Sequence, residues 1–163
     1  MTVSLLSPQP DSYANSMVEW LGHSPVFDGL GPDSLSAFAR CSEVRSYAAL
    51  EEVLVEGTTP ECMYIVLSGR FIVLLPGDRL ARYGDSAMVS LDSYVSGDSF
   101  GEQALIEGGS PAVASVVATE PSEVLAIDRV SFDHIVGSES RIAQVVFRNL
   151  FDIQTRRLAA ISS

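Results

Sequence analysis

The sequence predicts a mainly β fold, an antiparallel sandwich or barrel with flanking helices. Two observations carry this expectation. Between residues 43 and 127 the chain passes through short β-type runs separated at close intervals by Gly, Pro and Asp, the texture of antiparallel all-β architecture rather than of alternating strand–helix units. On either side of that tract, apolar residues recur at helical spacing instead.

The elements follow in order. Residues 11–22 place Tyr13, Met17, Val18 and Leu21 on one helical face, with Gly22 as the stop. Trp20 is read as the anchor of this helix to the core. Residues 25–30 read as a turn, after which Pro32 and Asp33 suit a helix start and Leu35, Phe38 and Ala39 give it a short buried face. Strands are expected at 44–47, 53–56, 63–67, 71–75, 88–95, 113–118 and 124–127. Pro76-Gly77-Asp78 has the composition of a hairpin tip. Asp128 suits the cap of a short helix carrying Phe132, Ile135 and Val136, closed by Gly137.

A long C-terminal helix then opens at Ser138 or Ser140 and runs to about Ile161. Its apolar set is too wide for one stripe on a surface helix. One side has the chain's own β layer to pack on, and a twin helix is the natural cover for the other. A homodimer through residues 140–161 is therefore expected, with Ile142, Val146, Leu150, Ile153 and Ile161 as candidate interface residues. Arg141, Arg148, Arg156 and Arg157 are read as solvated. Asp152 and Arg156 stand at i,i+4, and the last two arginines suit the negative end of the helix dipole. The chain divides into an N-terminal helical extension (1–24), a β unit (25–137) and the C-terminal helix (138–163).

Composition narrows the function classes. The formal net charge is −11, and all ten basic residues are arginine. So acidic a chain repels a phosphate backbone, which argues against direct nucleic-acid binding. No apolar run reaches the ~20 residues that span a bilayer, and residues 1–10 lack the pattern of a secretory signal, so a soluble cytoplasmic protein without membrane contact is expected. Cys41, Cys62, His23 and His134 are too dispersed to form a metal site, so none is expected. The sequence carries no His-Glu-x-x-His, Gly-x-Ser-x-Gly or Gly-x-x-x-x-Gly-Lys motif, and no catalytic residue, enzyme activity or cofactor is assigned.

Two stretches carry chemistry. Tyr64-Ile65-Val66-Leu67-Ser68-Gly69-Arg70 is a buried strand, a tight turn and the start of a second strand. Gly97-Asp98-Ser99-Phe100-Gly101-Glu102-Gln103-Ala104-Leu105-Ile106 offers glycines at 97 and 101 for positive φ and close ligand approach, a carboxylate for a sugar hydroxyl, and backbone N–H groups at Gln103 and Ala104 for an anion. With the Phe27-Asp28-Gly29-Leu30 entry and the run from Val124 to Asp128, these stretches resemble the cyclic nucleotide-binding domain family of bacterial cyclic-AMP receptor proteins, protein kinase A regulatory subunits and cyclic nucleotide-gated channels.

The resemblance implies an eight-stranded antiparallel β-roll, jelly-roll-like (a double-stranded β-helix), with a small-molecule pocket and a long C-terminal helix. It implies a cyclic AMP or cyclic GMP ligand, with Glu102 on the ribose 2′-OH and Gly101, Gln103 and Ala104 in the phosphate cradle. Ala112, Val113 and Ala114 complete the implied site. The pattern departs from the family at two places, one of them Gln103, which stands where the family usually has an apolar residue. Ala112 stands where the family has its phosphate-binding arginine, and no basic residue occurs between Arg82 and Arg129. Losing a charge-assisted contact of this kind weakens cyclic nucleotide binding by about ten- to several-thousand-fold.

Two functions follow. One is a ligand-sensing regulatory module that relays binding through its C-terminal helix to a partner protein. The other is a degenerate pseudo-sensor, a dimerisation or protein-interaction module that has lost the ligand. Family receptors of the transcription-factor type carry a helix-turn-helix after the long helix, where this sequence stops; for a complete chain output through protein contacts is expected, and for a fragment the effector domain lies beyond it.

Overall fold

A computed structural model describes residues 10–74, 90–102, 105 and 110–162. The expected hairpin tip at Pro76-Gly77-Asp78 lies outside the described residues, as do Arg82, Gln103, Ala104 and Glu107.

Helix α1 (Pro10–Gly22) leads through a 3-10 turn (Pro25–Phe27) to α2 (Pro32–Arg40). Pro32 occupies the first turn of α2, where its missing N–H costs nothing. Eight strands follow: β1 (Ser42–Tyr47), β2 (Glu52–Leu54), β3 (Cys62–Ser68), β4 (Phe71–Leu74), β5 (Ser90–Tyr94), β6 (Ser99–Phe100), β7 (Ser115–Ala118) and β8 (Ser122–Asp128). The chain closes with α3 (Arg129–Ser138) and α4 (Ser140–Ser162). The strands form two antiparallel sheets in the orders β1-β8-β3-β6 and β2-β7-β4-β5, facing each other as a roll. Among the described residues, no helix is long and apolar enough to cross a membrane.

The first sheet is covered on both faces, which explains why β3 and β8 read as nearly continuous apolar runs. Along β3, Cys62, Tyr64 and Val66 point into the roll with Phe71, Phe100, Val116 and Val124. Met63 and Ile65 point the other way, into a second core with Met17, Leu21, Phe27, Phe38 and Phe132. The helices are thus a layer of the fold rather than an appendage. Met17 and Leu21 anchor α1, whereas Trp20 is substantially exposed, so the expected anchoring falls to its neighbours.

Three details correct local expectations. Gly137 does not end α3; the helix runs to Ser138, whose Oγ donates to the Ile135 carbonyl at 2.6 Å, and the chain turns extended at Glu139. No Asp152–Arg156 ion pair forms among the described residues. The two-residue strand β6 is not among the strands expected from sequence, because two residues give no periodicity; its pairing with Tyr64 and Ile65 of β3 defines it.

Helix α4 settles against the roll rather than standing free. Ile142, Val146 and Leu150 are buried in the helical core, and Ile153 packs at its edge. The four-residue spacing that suggested a partner-facing stripe is therefore the inward stripe, filled by the chain's own core. Ile142, Val146 and Leu150 are therefore closed to a second subunit in this fold, Ile153 is half-buried, and the side chain of Ile161 lies outside the described residues. Asn149 fixes the helix from one flank, its Nδ2 donating to the carbonyls of Val26 and Asp28 at 2.9 Å each.

Candidate functional site

The site is built where β5, β6 and the inward face of α4 meet. Gly101 follows β6 with φ +80°, and a Cβ there would lie 2.9 Å from the Cys62 carbonyl oxygen. This backbone permits the next residue, Glu102, to turn inward. Glu102 is 1% exposed. A carboxylate so deeply placed requires partners, and they come from α4. Gln154 Nε2 donates to Glu102 Oε1 at 2.8 Å, and Arg157 donates from one terminal nitrogen to the same oxygen. The other terminal nitrogen of Arg157 donates to the Ser99 carbonyl. The guanidinium also lies over the Tyr94 ring, 4.8 Å from its centroid.

Beneath this layer Phe100 is held between two tyrosine rings, stacked on Tyr64 at 5.1 Å and on Tyr94 at 5.3 Å. Burial pushes the Tyr64 hydroxyl up to about 12 and raises the Cys62 thiol as well, so both stay protonated at neutral pH. The floor of the site is therefore neutral and aromatic. Its charges among the described residues are Glu102 and Arg157, one of each sign.

Two buried polar atoms have no hydrogen-bond partner among the described residues: Glu102 Oε2 and Ser99 Oγ. Leaving a buried acceptor of this kind unmet costs about 1–3 kcal/mol or more for a charged group. A buried carboxylate oxygen and a buried hydroxyl, neither with a partner among the described residues, fit a ligand that presents hydroxyl donors.

Of the residues assigned from sequence, Gly101 and Glu102 stand in this site. Ala112 is half-buried and pairs through its backbone with Gly57 and Thr58, its carbonyl accepting from the Gly57 N–H and its own N–H donating to the Thr58 carbonyl, each at 2.8 Å. Val113 is exposed and Ala114 half-buried. Tyr94, Ser99, Gln154 and Arg157 were not assigned to the site from sequence. The phase of α4 carries the missed signal. Four residues beyond Leu150 is Gln154 and seven beyond is Arg157, so the inward stripe becomes polar where it reaches Glu102. Arg157 is consequently an ion-pairing residue of the site, not a solvated one.

The comparison with known proteins now has a geometry to match. The family model for the cyclic nucleotide-binding domain matches residues 44–139, more than half of the chain. This chain belongs to the cyclic nucleotide-binding domain family. The cyclic-AMP-dependent protein kinase regulatory subunit of Blastocladiella emersonii is 28% identical over 134 residues, 82% of this chain and 32% of that protein. Among solved structures, a cyclic nucleotide-binding domain from Methylobacillus flagellatus KT superposes with a TM-score of 0.74 at 17% identity, covering 93% of this chain and 81% of that one. The catabolite activator protein of Thermus thermophilus gives a TM-score of 0.65 at 26% identity, over 83% of this chain and 59% of that one. The chain spans about a third or less of the length of the curated relatives it matches. The expected β-roll with flanking helices is the fold observed, and the family is one of ligand-sensing regulatory modules.

Proposed function

We propose that this domain is a cyclic nucleotide sensor in which Glu102 receives the ligand's ribose and α4 reads its occupancy directly. One observation carries the reading: the buried Glu102 is tied through Oε1 to Gln154 and Arg157 of α4, while Oε2 is open. A hydroxyl that binds Oε2 shares its acceptor group with the helix, so occupancy and helix position are coupled by one carboxylate. The relatives support the ligand class, being a cyclic-AMP-dependent kinase regulatory subunit and a catabolite activator protein.

Output runs through protein contacts made by α4. Its outward face carries Phe147 and Phe151, with Phe151 70% exposed, and Leu158 is exposed two turns beyond. A twin helix is the partner proposed for this face, giving a homodimer. Protein partners in the kinase-regulator manner are reached through the same helix.

Calorimetric titration of the protein with cyclic AMP and cyclic GMP tests the sensor reading. Micromolar binding or better is expected, weakened at least tenfold by Glu102→Gln. The specific observation on the other side is Ala112. If wild type is silent while Ala112→Arg binds, the roll is an interaction module with a vacated ligand site.

A further inference from the structure

The family's phosphate-binding arginine is absent at Ala112, yet the site is not without a cation. Arg157 reaches it from α4, and three contacts fix its guanidinium. Glu102 Oε1 and the Ser99 carbonyl take one terminal nitrogen each, and the Tyr94 ring supports its face. These fix position without exhausting capacity. A guanidinium has five N–H donors in a rigid fork, and the contacts within the described residues use two. Its side chain is 21% exposed while its carboxylate partner is 1% exposed, so the arginine is the member of the pair that solvent reaches. A cation pinned on its face and on part of its edge, with the rest of the fork unspent, is preorganised for an anion.

Ser99 Oγ and Glu102 Oε2 are both buried without a hydrogen-bond partner among the described residues, and both belong to residues that Arg157 already holds. A ligand hydroxyl bound at Glu102 Oε2 would share with Arg157 the carboxylate that Arg157 holds through Oε1, which puts a group attached to that ligand within reach of the guanidinium. Charge favours this arrangement. Glu102 alone repels a phosphate, but the Glu102–Arg157 pair is neutral, and the unspent N–H groups turn it attractive.

We propose that Arg157, carried on α4, is the cation that receives the ligand's phosphate in place of the arginine missing at Ala112. This rests on the sensor reading and deepens it. The phosphate contact then resides on α4 rather than on the roll, so binding of the anion requires α4 to be seated as it is here.

The test compares a charged ligand with an uncharged one. The full chain, as wild type, Arg157→Gln, and Arg157→Gln combined with Ala112→Arg, is titrated calorimetrically with cyclic AMP and with adenosine. Circular dichroism confirms that each variant is folded. The expected result is that Arg157→Gln weakens cyclic AMP about ten- to a hundredfold more than it weakens adenosine, and that Ala112→Arg restores cyclic AMP in the double variant. An Arg157→Gln variant that binds cyclic AMP as well as or better than wild type overturns the proposal while leaving the sensor reading intact. Equal weakening of cyclic AMP and adenosine also overturns it, since Arg157 then merely positions Glu102. Wild type silent toward both ligands overturns the proposal and the sensor reading together.

Discussion

At the scale of single residues, two positions bear on stability apart from the ligand. Gly69 sits between β3 and β4 with φ +86°, and a side chain there would collide with Ser122 Oγ. That hydroxyl is committed, accepting from the Arg70 N–H at 3.1 Å and donating to the Glu120 carbonyl at 2.7 Å. Gly69→Ala therefore combines a left-handed backbone with overpacking, and a loss of about 2–4 kcal/mol is expected in urea unfolding. Asp128 caps α3, its carboxylate accepting from the Ser131 N–H and from the Ser131 hydroxyl at 2.8 Å each. Those bonds hold its carboxyl below the ordinary aspartate range. A depressed folded-state pKa gives stability that is present above the unfolded value, near pH 4, and lost as pH falls through the folded one. Asp128→Ala should cost about 1 kcal/mol at neutral pH and flatten that acid limb in pH-dependent melting. Both features are legible in sequence, as a Ser-Gly turn and as an acid before a helical run. The partners of Glu102 are not, because they lie more than fifty residues away and are joined to it only by the fold.

At the scale of elements, α4 has two jobs on two faces. Ile142, Val146 and Leu150 pack inward on the chain's own core, while Phe151 stands outward. The sequence showed that the apolar set was too wide for one stripe, which is correct, but it could not tell which stripe faced the roll. Helical periodicity defines a stripe, and only the packing against Phe27, Phe38 and Phe132 assigns its direction. The consequence is testable. Phe151→Asp should convert a dimer to a monomer in sedimentation at tens of micromolar without lowering the melting temperature by more than a few degrees. Leu150→Ala should instead destabilise the fold by about 2–5 kcal/mol, whatever the oligomeric state. If Phe151→Asp unfolds the chain or leaves a dimer intact, the outward face is not the interface.

At the scale of the whole molecule, the sheet β1-β8-β3-β6 is the wall between two cores. One core fills the roll; the other seats α1, α2, α3 and α4. The closely spaced breakers made the β-rich class legible, and the alternation within β3, invisible as hydropathy because both faces are apolar, emerges only when each side chain is assigned to its core. This two-core arrangement gives the sensor its economy. In the proposed sensor the ligand binds at the edge of the roll, and α4, the element proposed to report it, is bound into the second core by Leu150 and Val146 and to Glu102 by Gln154 and Arg157. A change at Glu102 thus reaches α4 without an intervening chain of contacts. The most direct measurement is amide hydrogen exchange over residues 150–160, with and without saturating cyclic AMP. Ligand is expected to slow exchange there by tenfold or more in wild type and to have no effect in Glu102→Gln. Ligand binding detected by calorimetry with exchange over α4 unchanged would contradict it.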